Sequence, residues 1–313
     1  MTSGQHHVVF GAGQVGRTLA ARLASDGQSV RVVSLHQPSS LPTWVEWRAA
    51  DVTDPDAATQ AALDGAVLYQ CLNAPYDKWP ELFPPLQRGV LAAAERTGAL
   101  LVTLENLYGY GPTGGAPITE DLPLAADTVK GRTRAAMTRE LLAAADAGRV
   151  RIAIGRASDF FGPGVTASAL GARFFARAVS GKKADFLGNP NLRHTYSYVP
   201  DIAHGLATLG TDERAAGQVW HLPGPATVTT REIAAIVSDE LERSVDLRIM
   251  PRPLLSMLAV VSPLLRALKE MAYEFEEPFV LDTTKYESTF GSAGTPLHTA
   301  VADTISWYRS RTS

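Results

Sequence analysis

The amino-acid sequence predicts an α/β fold, a doubly wound parallel sheet with a smaller C-terminal lobe. Three observations carry this expectation. Apolar runs of strand length alternate with helix-length stretches through the first half of the chain. A glycine-rich turn joins the first strand pattern to the first helix pattern. Past Gly155 the alternation gives way to loops rich in Gly and Pro, where a second lobe begins.

Taken in order, Val8-Val9-Phe10 is a short apolar run that ends at glycines, and after it Val15, Leu19 and Leu23 recur every four residues until Gly27. That pattern is strand, tight turn, helix. Further strands are expected over 30–35, 44–49, 66–72 and 100–104, with helices over 57–63 and 82–97, the latter ended by Gly98. A helix over 132–147 and a strand over 150–154 continue the series. The expected organisation is a sheet domain over 1–157, rejoined by 191–222, with 158–190 and 223–313 forming the smaller lobe.

With 313 residues, 45% of them hydrophobic and 19% charged, the chain can bury a sizeable core. A net charge of -3 offers no basic face, so nucleic acid is not an expected partner. Cys71 is the sole cysteine, which excludes an internal disulfide and a thiolate metal cluster and points to a reducing, cytoplasmic setting. His6 and His7 precede the first strand and read as surface residues, and His194, His204 and His221 lack metal-ligand spacing, so no metal site is expected. The most apolar stretch, 254–268, is shorter than the roughly 20 residues that span a bilayer and contains Pro263 and Arg266. It reads as a helix packed on the second lobe or on another subunit, and no membrane partner is expected.

Gly11-Ala12-Gly13-Gln14-Val15-Gly16 has the G-x-G-x-x-G spacing directly after a strand and at the start of an amphipathic helix. In a Rossmann fold the first glycine makes the turn, the second admits pyrophosphate and the third lets helix pack on strand. Backbone N–H groups at Gln14 and Val15 then face the anion. An acid that would bind a ribose 2′-hydroxyl is missing where the second strand ends, at Ser34-Leu35-His36-Gln37. Ser34, His36 or Arg17 could meet a 2′-phosphate instead, so NADP is favoured and NAD stays open. Asp51-Val52 suits an adenine contact, with Asp51 as a cap of the next helix the alternative.

In their order along the chain these motifs resemble the extended or atypical short-chain dehydrogenase/reductases of the NAD-dependent epimerase/dehydratase type. Asn73-Ala74-Pro75 match the strand-four motif, Tyr110-Gly111-Pro112 the strand-five turn, and residues 156–164 the sixth-strand segment ending in Gly162-Pro163-Gly164. Residues 193–201, Thr229-Thr230-Arg231-Glu232, Thr283-Thr284-Lys285 and Trp307-Tyr308 follow in the family's order. The resemblance implies a nicotinamide dinucleotide that Asn73, Ala74 and Pro75 help to hold, a small-molecule substrate against the C-terminal lobe, and a homodimer.

The resemblance also locates the catalytic positions, and there this chain departs from the family. The Ser/Thr position holds Asn106, and the Tyr-x-x-x-Lys pair reads Lys130 and Arg134. Three groups compete for acid/base duty. Lys130 could serve if desolvation beside Arg134 lowered its pKa, Tyr108 could reach a substrate oxygen, and Asn106 could donate to an oxyanion. Against these stand a solvated first turn for Lys130 and a packed wall for Tyr108. Glu105 is expected turned away or paired, and Cys71 inert in the core. The expected function is an NAD(P)-dependent oxidoreductase of atypical short-chain type, acting on a small, partly apolar carbonyl, alcohol or activated alkene. A cofactor-retaining epimerase, isomerase or lyase, and a non-catalytic NAD(P)-binding regulator, are the alternatives.

Overall fold

The structure is a computed structural model that describes residues 5–251, 255–257, 259–291 and 294–312. Six strands arise in the first half of the chain: β1 (His6–Phe10), β2 (Ser29–Ser34), β3 (Glu46–Ala49), β4 (Val67–Gln70), β5 (Leu100–Glu105) and β6 (Arg151–Arg156). A seventh, Gln218–His221, returns from the second half and pairs with β6 in parallel. All seven run parallel, in the order Gln218–His221, β6, β5, β4, β1, β2, β3. The chain starts at β1 and winds outward in both directions, so the switch point falls between β1 and β4. Ligands of such sheets bind outside the carboxyl ends of the strands at this place.

Burial explains why these strands form. Val8, Val9 and Phe10 are fully buried because helices cover both faces of the sheet, which is why the strands read as apolar runs rather than as alternation. On one face α1 (Gln14–Ser25) packs through Val15, Leu19 and Leu23 with the helix Val199–Thr211. On the other lie α2 (Pro55–Ala62), α3 (Trp79–Thr97) and α4 (Val129–Asp146). α3 begins three residues before its expected start, since Pro80 fits the first helical turn, where a missing N–H costs nothing. Further in, Gly89 brings α3 so close to the Val52 carbonyl that any Cβ there would collide with it.

The second lobe has its own core, which includes Phe161, Phe174, Phe175, Tyr198 and Ile233. Three two-stranded ladders support it: Asp159–Phe161 with Tyr196–Tyr198, Arg193–His194 with Val228–Thr229, and Ala184–Leu187 with Leu247–Met250. The Thr229 and Glu232 side chains form a reciprocal capping box at the start of the helix Thr230–Glu240. The apolar stretch 254–268 is not one continuous helix. A short helical piece over 255–257 is followed by a separate helix, Pro263–Glu270, because Ser262 caps it and Pro263 takes its first position. Leu254 and Leu258 of that stretch lie outside the described residues.

Candidate active site

The glycine turn sits at the carboxyl end of β1. Gly11 has φ +108°, and a Cβ there would lie 2.6 Å from the Cys71 carbonyl oxygen. A Cβ on Gly16 would collide with the Gly11 carbonyl, whereas one on Gly13 would meet nothing within 4 Å. Two of the glycines are thus demanded by packing, and Gly13 alone faces open space. Gly13 also occupies the N-cap of the 12-residue α1, without a capping side chain and without an acid in the first turn. That end offers backbone N–H groups and the positive pole of a helix to an anion. These residues fit the pyrophosphate of a dinucleotide. The Val15 side chain belongs to the core, so Val15 and half-buried Gln14 would act through their amides.

The other residues read as dinucleotide contacts lie on the same edge of the sheet. Ser34 ends β2, its hydroxyl donating to the His36 carbonyl at 2.8 Å and accepting from Trp47 Nε1 at 3.1 Å. Asp51 is exposed and folds onto Thr53, whose N–H and hydroxyl lie 3.0 and 2.7 Å from its Oδ1 and hold its carboxyl below the usual range. Asp54 rather than Asp51 caps α2, accepting from the Asp56 amide. Val52 is buried beneath α3. Asn73 and Pro75 are exposed after β4, while the carbonyl of buried Ala74 accepts from Trp79 Nε1 at 3.0 Å.

Asn106 follows β5, its Oδ1 accepting the Tyr108 amide at 3.3 Å. The Tyr108 hydroxyl pairs with that of Tyr76 at 3.2 Å, and burial pushes the Tyr108 phenol well above its ordinary range. Lys130, in the first turn of α4, is 3% exposed. Its ammonium lies 3.1 Å from Glu270 Oε2 and 3.4 Å from the Ala267 carbonyl, and 4.5 Å from the centre of the Tyr76 ring. Its amide donates to Glu270 Oε1 at 2.7 Å. The helix Pro263–Glu270 therefore closes over the start of α4.

Arg134 is equally buried but turns inward to Glu105, at 3.7 Å, and stacks on Phe83. Glu105 also receives Arg156 Nε at 3.0 Å and the Thr138 hydroxyl at 2.8 and 2.9 Å. Arg156 continues to the Tyr110 hydroxyl at 2.5 Å, and that hydroxyl meets His221 Nε2 at 2.7 Å. The space between Glu105, Asn106, Tyr110, Arg134 and Arg156 has no room for a water molecule. This network is a packed support beneath the site. It has no access for a substrate. Burial also raises the Cys71 thiol to about 12, so it is protonated at neutral pH and a poor nucleophile.

Sequence reading passed over a second group of polar residues from the C-terminal lobe. His194 Nε2 lies 2.8 Å from Asp159 Oδ2, and its Nδ1 lies 3.2 Å from the Glu274 carbonyl. Glu274 is 1% exposed, and neither its Oε1 nor the Tyr273 hydroxyl has a hydrogen-bond partner among the described residues. Neighbouring Arg193, singled out by the family pattern, is exposed. Only the strand position of His194, beside it in the ladder to Val228–Thr229, could have signalled this group. Among the described residues, no cluster of three or more His, Cys, Asp or Glu could hold a metal ion, and no helix is long and apolar enough to cross a membrane.

Residues 85–222 match the model of the NAD dependent epimerase/dehydratase family. The family resemblance read from the motifs holds. An uncharacterized protein of Sinorhizobium fredii is 26% identical over 201 residues, 62% of this chain, and the match spans only 56% of that protein. Among solved structures, an epimerase of Methanothermobacter thermautotrophicus superposes with a TM-score of 0.82 at 18% identity, covering 99% of this chain and 94% of that one. The UDP-glucuronic acid 4-epimerase of Bacillus cereus, in complex with UDP-glucuronic acid and NAD, gives 0.79 at 15% identity, covering 98% and 100%. The dTDP-glucose 4,6-dehydratase of Bacillus anthracis, in complex with NAD, gives 0.79 at 14% identity, covering 98% and 97%. At these identities the likeness establishes the Rossmann-type fold of the epimerase/dehydratase enzymes.

Proposed function

We propose that this chain binds a nicotinamide dinucleotide and acts as an oxidoreductase on a small, neutral, partly apolar carbonyl, alcohol or activated alkene. The observation that carries the reading is the open face of Gly13 at the start of α1, beside the switch point of the sheet. Gly11, Gly13, Gly16 and the amides of Gln14 and Val15 would hold the pyrophosphate. Ser34, Asp51, Val52, Asn73, Ala74 and Pro75 would border the adenosine and the ribose. NADP is favoured because no carboxylate stands at the end of β2 to repel a 2′-phosphate. When bound, the nicotinamide supplies or accepts hydride.

The chain's own contribution differs from the family pattern. Lys130 and Arg134 are both held in ion pairs, with Glu270 and Glu105, so neither reproduces a tyrosine–lysine proton relay. Asn106 and Tyr108 are half-buried and joined through the Tyr108 amide, and the aromatic side chains of Tyr76 and Tyr108 favour a substrate with apolar surface. A single cysteine and the chain's mild net charge suit a cytoplasmic enzyme, and a homodimer through the helices of the sheet domain belongs to the same reading.

Titration of purified protein with NADPH and NADH, followed by a panel of ketones and enones, tests it. Binding of either dinucleotide, with loss of the reduced-nicotinamide absorbance in the presence of a ketone or enone, is the expected result, and no binding sinks the reading. The epimerase fold of the neighbours favours a second reading, in which the cofactor is retained and substrate turns over without net change in nicotinamide absorbance.

A further inference from the structure

Glu274 sits in the 3-10 turn Ala272–Phe275, buried to 1% exposure with Oε1 unpartnered among the described residues. An unpaired carboxylate in such a place is among the costlier groups a fold can carry. Loss of water, reinforced by the negative Asp159, pushes the Glu274 pKa well above the carboxylate range. A proton held on Oε1 has no acceptor among the described residues. The titratable groups that face it are Asp159, His194, Tyr76, Tyr108 and Tyr273, and Lys130 is engaged by Glu270. Its charge would act through space on all three tyrosines, so the four side chains lie near one another. The Tyr108 amide donates to Asn106 Oδ1 at the end of β5.

We propose that the Glu274 carboxyl O–H, with the Tyr273 hydroxyl beside it, binds the carbonyl oxygen of a neutral substrate and supplies the proton that the Lys130 position cannot. This rests on the oxidoreductase reading above. In a reduction, the carbonyl carbon accepts hydride from a reduced nicotinamide while the oxygen's electron pair takes the Glu274 proton as the C=O π bond opens. The product is the alcohol, and Glu274, left as a carboxylate, regains a proton from solvent. Ketosteroid isomerase, where an aspartic acid kept neutral by an apolar site donates to a substrate oxygen, provides the physical precedent.

Infrared spectra of the full chain decide the matter, with acetophenone as the probe ketone. At neutral pH the native protein should show the C=O band of an un-ionised carboxyl that is lost in Glu274→Gln, and acetophenone should shift that band. Glu274→Leu should weaken acetophenone binding at least tenfold while NADPH binding is unchanged. A missing band, or one that acetophenone leaves unmoved, overturns the proposal. If the leucine variant does not fold, the band in native protein and in Glu274→Gln still decides. Failure of NADPH to bind overturns only the oxidoreductase reading, because the band is recorded without cofactor.

Discussion

The Arg134 guanidinium faces the Glu105 carboxylate at 3.7 Å inside the support of the sheet. Glu105 holds a second buried guanidinium, Arg156, at 3.0 Å. One carboxylate is therefore the shared counter-ion of two cations that are each 3% exposed. Removing its charge leaves both in a medium that solvates them poorly. Glu105→Gln is expected to destabilise the protein by about 3–5 kcal/mol, measured as the midpoint and slope of urea unfolding. A loss below about 1 kcal/mol would show that the network behaves like a surface ion pair.

The glycine turn separates folding from binding. Gly16→Ala forces a methyl into the Gly11 carbonyl and should cost the fold itself, seen as a lower Tm. Gly13→Ala meets nothing of the protein within 4 Å, so the Tm should stay within a degree or two of native (about the effect of a surface change). NADPH affinity should nevertheless fall at least tenfold, about 1.4 kcal/mol, because the methyl occupies the space the pyrophosphate needs. Isothermal titration beside a thermal melt checks both, and equal affinity in native and Gly13→Ala protein would remove the dinucleotide from this turn.

These contrasts also mark what the sequence could reveal. The turn was legible because its three glycines act within six residues, and strand alternation was legible because both faces of a parallel sheet are buried. The fate of Lys130 was not, since its partner Glu270 lies 140 positions away on a helix that reads only as part of an apolar stretch. Arg134 and Glu105 are 29 residues apart, but only the packing of α4 on β5 turns one toward the other. Glu274 carried no motif at all. Its meaning comes from burial with Oε1 unpartnered among the described residues, a property of the folded chain alone.

The Lys130–Glu270 contact fastens the helix Pro263–Glu270 over the start of α4 through two bonds, one to the ammonium and one to the Lys130 amide. Glu270→Ala removes both and leaves a lysine that is 4% exposed without its counter-ion. Stability should drop by about 3 kcal/mol. Glu270→Gln keeps an acceptor for the amide and should lose roughly half of that. Urea unfolding of the two variants, compared with Lys130→Met, tests the pairing: once Lys130 is gone, Glu270→Ala should cost much less, and additive losses would show that the two residues are independent.

Burial gives the protein a defined acid response. His221 is held down to about 3 and His7 to about 4 by loss of water, both below the ordinary 6.5. The unfolded chain takes up protons near 6.5 that the folded chain refuses, so stability is complete above that pH and declines as the pH falls toward the folded values. Each histidine contributes a slope approaching about 1.4 kcal/mol per pH unit in that window. Glu274 works in the opposite direction, because its raised pKa lets the folded state keep a proton that the unfolded state releases. A single stability curve mixes these effects, but the difference between native protein and His221→Gln does not. Glutamine keeps an acceptor for Tyr110 and a donor for the Asp282 carbonyl, the two bonds the His221 ring makes. Between pH 4 and 5.5 (a window of about one to two units inside the shift), the native slope should exceed that of His221→Gln by about 1.4 kcal/mol per unit. Parallel curves would mean that His221 titrates alike in the folded and unfolded chain.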